Sequence, residues 1–185
     1  MLQKILVPLD GSEFAECVIP YVEELCQRCN PVEIVLIQVI RPPSGRSLSD
    51  PIARPLIYDY PVLRLPDPPP EINTMLHRTF QDQEIASARA QVEATLLPVA
   101  KRFCDGGAFT RVAVGFGRPA EQIVEFAEQQ RMDLIVMSTH GRSGLSRWVF
   151  GSVAEKVLRG THLPILLVRP EGATGSAPPQ PELQL

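Results

Sequence analysis

Apolar positions along this chain follow two rhythms that take turns. Lys4 to Leu9, Glu33 to Ile40, Arg111 to Gly115, Asp133 to Met137 and Pro164 to Val168 are short, near-continuous apolar runs. That is the pattern of a strand covered on both faces, as in a parallel sheet. Between them the spacing changes to that of helices. Ala15, Val18, Ile19, Val22, Leu25 and Cys26 mark a first helix, with Ser12 placed to cap it and Asn30-Pro31 to stop it. Ile85, Ala88, Val92, Leu96 and Phe103 mark a second, which Pro98 is expected to kink or interrupt. Ala120, Ile123, Val124 and Ala127 mark a third, with Pro119 suited to its first turn. A fourth runs from Ser152 to Arg159, and Gly160 stands where a left-handed cap would close it.

Five strands alternating with four helices predict an α/β fold: a single doubly wound five-stranded parallel sheet, helices on both faces. With the first strand in the centre the order is 3-2-1-4-5, counting strands along the chain. Ligands of such sheets bind beyond the carboxyl ends of the strands, where the winding reverses. Here that point lies between the first and fourth strands, so the loop carrying Asp10 would face the loop that begins at Ser138. The domain is expected to span residues 1–170.

Two stretches break the rhythm. Residues 41–78 form a proline-rich insertion, and nine of the 19 prolines fall between Arg41 and Pro70. Proline argues against both helix and central strand. Leu56, Ile57, Tyr58, Tyr60, Val62 and Leu63 nevertheless give part of this segment something to pack with. After Arg169 the residues are rich in Pro, Gly, Ala and Gln, which predicts a disordered tail over 171–185.

Composition narrows the function classes. Apolar residues at 44% and charged residues at 21% are ordinary for a globular protein. A net charge of −3 gives no basic face for nucleic acid. No apolar run approaches the ~20 residues that span a bilayer, and the N-terminus carries no long apolar segment. The expectation is a cytoplasmic protein without a membrane partner. Of the four cysteines, Cys26 and Cys29 form a Cys-x-x-Cys pair. Redox pairs of that kind open a helix, whereas this one closes one, and no second pair sits at zinc spacing.

The chemistry concentrates between Met137 and Glu155, Met-Ser-Thr-His-Gly-Arg-Ser-Gly-Leu-Ser-Arg-Trp-Val-Phe-Gly-Ser-Val-Ala-Glu. A strand feeding a glycine-containing loop and then a helix start is a phosphate-binding arrangement: the first amides of a helix lack partners and its dipole is positive there. Ser152-Val-Ala-Glu155 also reads as a capping box, in which Ser152 merely caps its helix. His140 could serve as a base and Arg142 and Arg147 as phosphate partners, while Trp148 and Phe150 suit packing. Other nucleotide motifs fit less well. The Gly-x-x-x-x-Gly-Lys-Ser/Thr loop is absent. Gly115-Phe-Gly117-Arg-Pro-Ala120 matches a dinucleotide turn but lacks an acidic residue at the end of the next strand.

Met137 to Leu158, together with Lys4-Ile-Leu-Val-Pro-Leu-Asp-Gly-Ser12 and His162-Leu-Pro-Ile-Leu-Leu-Val168, resembles the universal stress protein family. The likeness covers about residues 1–40 and 80–170. ATP-binding members carry Gly-x-x-Gly, nine residues and Gly-Ser/Thr. Gly141, Arg142 to Phe150, Gly151 and Ser152 fit that pattern, and Ser138 replaces its first glycine. The resemblance implies a regulatory ATP-binding protein, with or without Mg²⁺, usually a homodimer. By that analogy Asp10 holds the ribose hydroxyls, and backbone near Pro8 and Val39 recognises adenine. Ser138, His140, Gly141, Arg142, Gly151, Ser152 and Val153 surround the phosphates, with the backbone N–H groups near Gly141, Gly151, Ser152 and Val153 and the Ser152 hydroxyl as donors. The strand Ile165 to Val168 would pair across the dimer. A slow ATPase or self-phosphorylating enzyme and a nucleotide-free dimeric interaction module are the alternatives, with no residue assigned a catalytic or metal-binding role.

Overall fold

The apolar runs come together as one sheet in a computed structural model that describes residues 2–29, 33–40, 56–59, 78–139 and 151–170. Its strands are β1 (Lys4–Pro8), β2 (Glu33–Ile40), β3 (Leu56–Asp59), β4 (Thr110–Phe116), β5 (Leu134–Ser138) and β6 (Ile165–Val168). They lie in the order β3-β4-β2-β1-β5-β6. β1 pairs in parallel with both β2 and β5, β2 with β4, and β5 with β6. These five are the predicted strands in the predicted order, 3-2-1-4-5. The sixth, β3, comes from the proline-rich segment and runs antiparallel along β4. An edge is the position in a sheet that proline-flanked sequence tolerates. Residues 41–55 and 60–77, and the tail from 171, lie outside the described residues.

The continuous apolar runs are explained by two cores, one on each face. Ile5, Val7, Ile34, Leu36, Val112 and Val114 point to one side, under α1 (Glu13–Glu16), α2 (Ile19–Cys29) and α3 (Arg78–Asp105). Leu6, Val35, Ile37, Ala113, Ile135 and Met137 point to the other, under α4 (Pro119–Gln129) and α5 (Ser152–Gly160). Burial on this scale supplies most of the stabilisation, at roughly 25 cal/mol per Å² of apolar surface.

Three helix expectations need correction. The first predicted helix is two, because Pro20 falls in the first turn of α2, where its missing N–H breaks the continuity. α1 keeps the predicted cap, the Ser12 hydroxyl accepting the Ala15 N–H at 3.2 Å. Pro98 does not interrupt α3, which runs through it. Pro98 is exposed, and buried Leu96, Val99, Ala100 and Phe103 hold the helix on both sides of it. Gly160 is the last residue of α5 rather than a left-handed cap, and Thr161 closes the helix in an extended conformation. Glycine serves there for proximity: a Cβ would stand 3.3 Å from Val124 Cγ2 on α4.

Ion pairs stitch the amino end of the sheet. Glu33, 7% exposed, accepts from Lys4 Nζ at 3.2 Å and Arg111 Nη1 at 3.0 Å, joining β1, β2 and β4. Asp133 Oδ2 accepts the backbone N–H groups of Gln3 and Lys4 at 2.8 and 2.9 Å, which hold its carboxyl below the usual range. No described helix is long and apolar enough to cross a membrane.

Candidate functional site

The opposite, carboxyl end of the sheet carries those predicted site residues that are described. Because β1 lies between β2 and β5, Pro8 at the end of β1 neighbours the last turns of both strands. Leu9 still donates to the Ile37 carbonyl at 2.9 Å, so β1 and β2 stay joined up to the point where the chain turns. The turn itself is built on Asp10. Its Oδ1 accepts the Ser12 N–H at 3.0 Å and the Ser12 hydroxyl at 2.6 Å. Since that hydroxyl donates to Asp10 while accepting from Ala15, the carboxylate and the start of α1 form one hydrogen-bonded chain. Gly11 between them has φ +77°, a left-handed conformation in which a side chain is strained.

Across the crevice, β5 ends at Ser138, which is 7% exposed. Ser138 is not among the residues with positive φ, so its backbone needs no glycine. Its side chain hydrogen-bonds the Cys17 thiol at the end of α1; burial pushes that thiol up, and the bond to Ser138 partly opposes the rise. Thr139 then donates its N–H to the Val168 carbonyl at 2.8 Å and accepts the Gly151 N–H at 2.7 Å. The two ends of the segment 140–150 are thereby pinned together. His140, Gly141 and Arg142 lie within that segment, outside the described residues.

The start of α5 bears on the capping box. Gly151, not Ser152, is the N-cap, and among the described residues no side chain caps the helix. Glu155 N–H bonds the Gly151 carbonyl at 3.0 Å, which makes Ser152 the first residue of the helix. The capping box therefore does not form. The N–H groups of Ser152, Val153 and Ala154 precede the first intrahelical bond, and a glycine N-cap brings no oxygen to meet them. The Gly151 N–H, expected among the phosphate donors, is instead spent on Thr139.

Several neighbours were not read from the sequence. Gln38, 2% exposed, is the polar break in the β2 run, and its Oε1 accepts from Thr95 Oγ1 at 2.8 Å. Its place in an otherwise apolar strand was the available signal. Thr95 closes over the Asp10 turn, its Cγ2 3.3 Å from where a Cβ on Gly11 would stand. Burial, then the charge of Glu23, pushes the Cys26 thiol up to about 11, so that cysteine carries no thiolate at neutral pH. Among the described residues no group of three or more His, Cys, Asp or Glu could hold a metal.

Comparison with known proteins bears on this arrangement. The model of the universal stress protein family matches residues 60–169, more than half of the chain. Universal stress protein MJ0577 of Methanocaldococcus jannaschii is 28% identical over 169 residues, covering 91% of this chain and 96% of that protein. Universal stress protein MJ0531 of the same organism is 55% identical, but over 53 residues, so the match spans 29% of this chain and 31% of that relative. The solved structure of MJ0577 superposes with a TM-score of 0.67 at 23% identity, over 93% of this chain and 99% of that one. A universal stress protein in complex with cAMP gives 0.57 at 18% identity, over 91% and 97%. A universal stress protein from Archaeoglobus fulgidus in complex with dAMP gives 0.55 at 18%, over 90% and 97%. At these identities the structural likeness establishes the fold.

Proposed function

The chain belongs to the universal stress protein family, and from that premise we propose that it is a regulatory protein that binds an adenine nucleotide, ATP in the first instance. The observation that carries this reading is the facing pair at the carboxyl end of the sheet. One member is the Asp10 turn after β1; the other is the start of α5, whose cap is a glycine without a side-chain oxygen. A ribose offers hydroxyls to a carboxylate, and a phosphate offers acceptors to helix amides and to their positive dipole. Two family structures, solved with cAMP and with dAMP, support adenine as the base.

In this reading Asp10 holds the ribose and the backbone near Pro8 and Val39 faces the base. The phosphates rest on the N–H groups of Ser152 and Val153 and on the Ser152 hydroxyl, with Ser138, His140, Gly141 and Arg142 around them. Gly151 contributes by having no side chain to cap the helix. Mg²⁺ would be carried by the phosphates of the ligand, since the described residues bring no carboxylate cluster to it. Nucleotide occupancy would bias the segment 140–150, pinned at its base by the Thr139–Gly151 bond, and through it partner binding. A second copy would join along β6, among the described residues the outer strand opposite β3.

The test is to release and identify nucleotide from protein purified under mild conditions, and to measure heat stability with added ATP. A ligand at 100 times its dissociation constant adds ~2.7 kcal/mol. Absence of any bound nucleotide, together with an unchanged melting temperature in millimolar ATP, would overturn the reading.

A further inference from the structure

The last turn of α2 carries two thiols with opposite surroundings. Cys26 is half-buried and packs against the core, whereas Cys29, the final residue of the helix, is the one exposed cysteine of the four. Residues three apart on a helix share a face. The two thiols are near enough for the charge of Cys29 to act on Cys26, behind the larger effects of burial and Glu23. One sulfur is therefore open to reagents in solution, and the other stands sheltered beside it.

The backbone already brings the pair to bridging range. A helix with a rise of ~1.5 Å per residue and a radius of ~2.3 Å sets Cα atoms three apart at about 5 Å. A disulfide spans Cα separations of roughly 4.4–6.8 Å. The Cβ atoms need a further adjustment, from the ~5–6 Å of a helix face to the ~3.5–4.5 Å of a bridge. Cys29 is the residue that can supply it, because no helical turn follows it and helix ends fray.

Pairs that open a helix owe their reactivity to a thiolate held by the positive end of the dipole, and that same thiolate makes their disulfides easy to reduce. α2 presents its pair at the other end, so the helix gives no such support. Burial and the charge of Glu23 keep the Cys26 thiol protonated. The reduced pair thus has no stabilised thiolate to lose on oxidation. Access at Cys29 and the closeness of Cys26 take the place of a lowered thiol.

We propose that Cys26 and Cys29 form an oxidation site, at which a hydroperoxide converts the Cys29 thiol to a sulfenic acid and the Cys26 thiol then closes a disulfide within α2. In the first step the Cys29 sulfur attacks a peroxide oxygen and the O–O bond breaks. The thiol proton leaves with the departing oxygen as an alcohol, or as water where the oxidant is hydrogen peroxide. In the second step the Cys26 sulfur attacks the Cys29 sulfur, the S–O bond breaks, and the hydroxyl leaves as water with the Cys26 proton. The two sulfurs together give up two electrons, and the peroxide takes both. Thiol–disulfide exchange with a dithiol reverses the bridge, and exposed or strained disulfides are the ones that yield to it. The site lies apart from the crevice, so the inference does not depend on the adenine-nucleotide reading.

The experiment treats the reduced full-length protein with a small excess of hydrogen peroxide, then alkylates it and digests it with trypsin. Arg28 lies between the two cysteines, so cleavage after it leaves their peptides joined through sulfur alone. Alkylatable thiols are expected to fall from four to two. A joined peptide that dithiothreitol separates should appear, from protein that still runs as a monomer without reductant. Cys26→Ser is expected to give no joined peptide and to leave a Cys29 sulfenic acid that dimedone traps, an adduct the wild type shows only in trace. Cys29→Ser should give neither product. Four alkylatable thiols retained by the oxidised wild type would overturn the proposal whether or not any variant folds. A joined peptide that persists in Cys26→Ser, or one found only in covalent dimers, would overturn it as well.

Discussion

Gln38 Oε1 accepts a 2.8 Å hydrogen bond from the Thr95 hydroxyl, and the methyl of that same Thr95 closes the space beside Gly11. One side chain of α3 thereby holds both the buried polar residue of β2 and the turn that presents Asp10. Gly11→Ala is expected to be costly on two counts, a left-handed φ of +77° and a Cβ 3.3 Å from Thr95 Cγ2. Together they should remove ~1–3 kcal/mol, or about 2–4 °C of melting temperature per kcal/mol in a domain of this size. Denaturant titration of Gly11→Ala and of Gly11→Ala with Thr95→Ser separates the terms. The second change removes the methyl, so the double variant should recover the steric part and keep the conformational part.

Asp10 serves the fold and the proposed ligand through the same carboxylate, and two substitutions pull these apart. Asn keeps an oxygen that can accept from Ser12, so Asp10→Asn should fold with nearly wild-type stability. Without the charge, its affinity for ATP should fall about 10-fold, since hydrogen bonds to ionised groups are the stronger ones. Asp10→Ala loses both hydrogen bonds to Ser12 and should also lose ~1–2 kcal/mol of stability. Calorimetric titration with ATP, beside thermal melts, reads both quantities.

Ser138 stands where the family pattern has glycine, yet it occupies a strand with an ordinary backbone. Ser138→Gly should therefore destabilise, by ~0.5–1 kcal/mol, the usual cost of glycine inside a strand. If the phosphates lie where proposed, the same change removes a Cβ beside them and should tighten ATP binding. It also removes the hydrogen bond that lowers the Cys17 thiol, so that thiol should rise further. Cys17 in the variant should then alkylate more slowly than in the wild type at mildly alkaline pH, as mass spectrometry of iodoacetamide adducts would report.

The Asp133 carboxyl is held below its ordinary value of 3.8, chiefly by the N–H of Gln3 and then by that of Lys4. A carboxyl lowered in the folded state stabilises fully above the unfolded value, and that contribution disappears as pH falls through the folded one. Asp133→Asn should lower the melting temperature at neutral pH, by less as the pH falls below 3.8. A variant equal to wild type at neutral pH would show that the carboxylate holds nothing there.

The five parallel strands were legible because burial on both faces leaves little but apolar residues in them, and apolar runs survive without knowledge of any contact. Their order followed from the winding rule. Local punctuation was less reliable. Pro20 split a helix that periodicity alone joined, whereas Pro98, on an exposed face, did not break one whose buried neighbours held it. Ser152 followed by Glu155 spelled a capping box, but Gly151 took the cap because its N–H is drawn to Thr139, a bond between residues far apart along the chain. Within the candidate site, Asp10, Ser152 and the facing loops could be placed from strand order. The burial of Gln122 against Gly115 could not be read: nothing in the spacing of α4 marks a polar residue there, because that contact exists only once β4 and α4 are packed.

The antiparallel strand β3 bears on stoichiometry. Leu56–Asp59 satisfies four consecutive positions of β4, Arg111 to Val114, with the chain's own backbone. A sheet with two long parallel edges could add copies at either side and continue as a filament. Here one side ends, among the described residues, in the four residues of β3 running the other way, and short edge strands discourage further pairing. If copies join as proposed along β6, the one remaining outer strand among the described residues, an assembly built through that single edge would be complete at two.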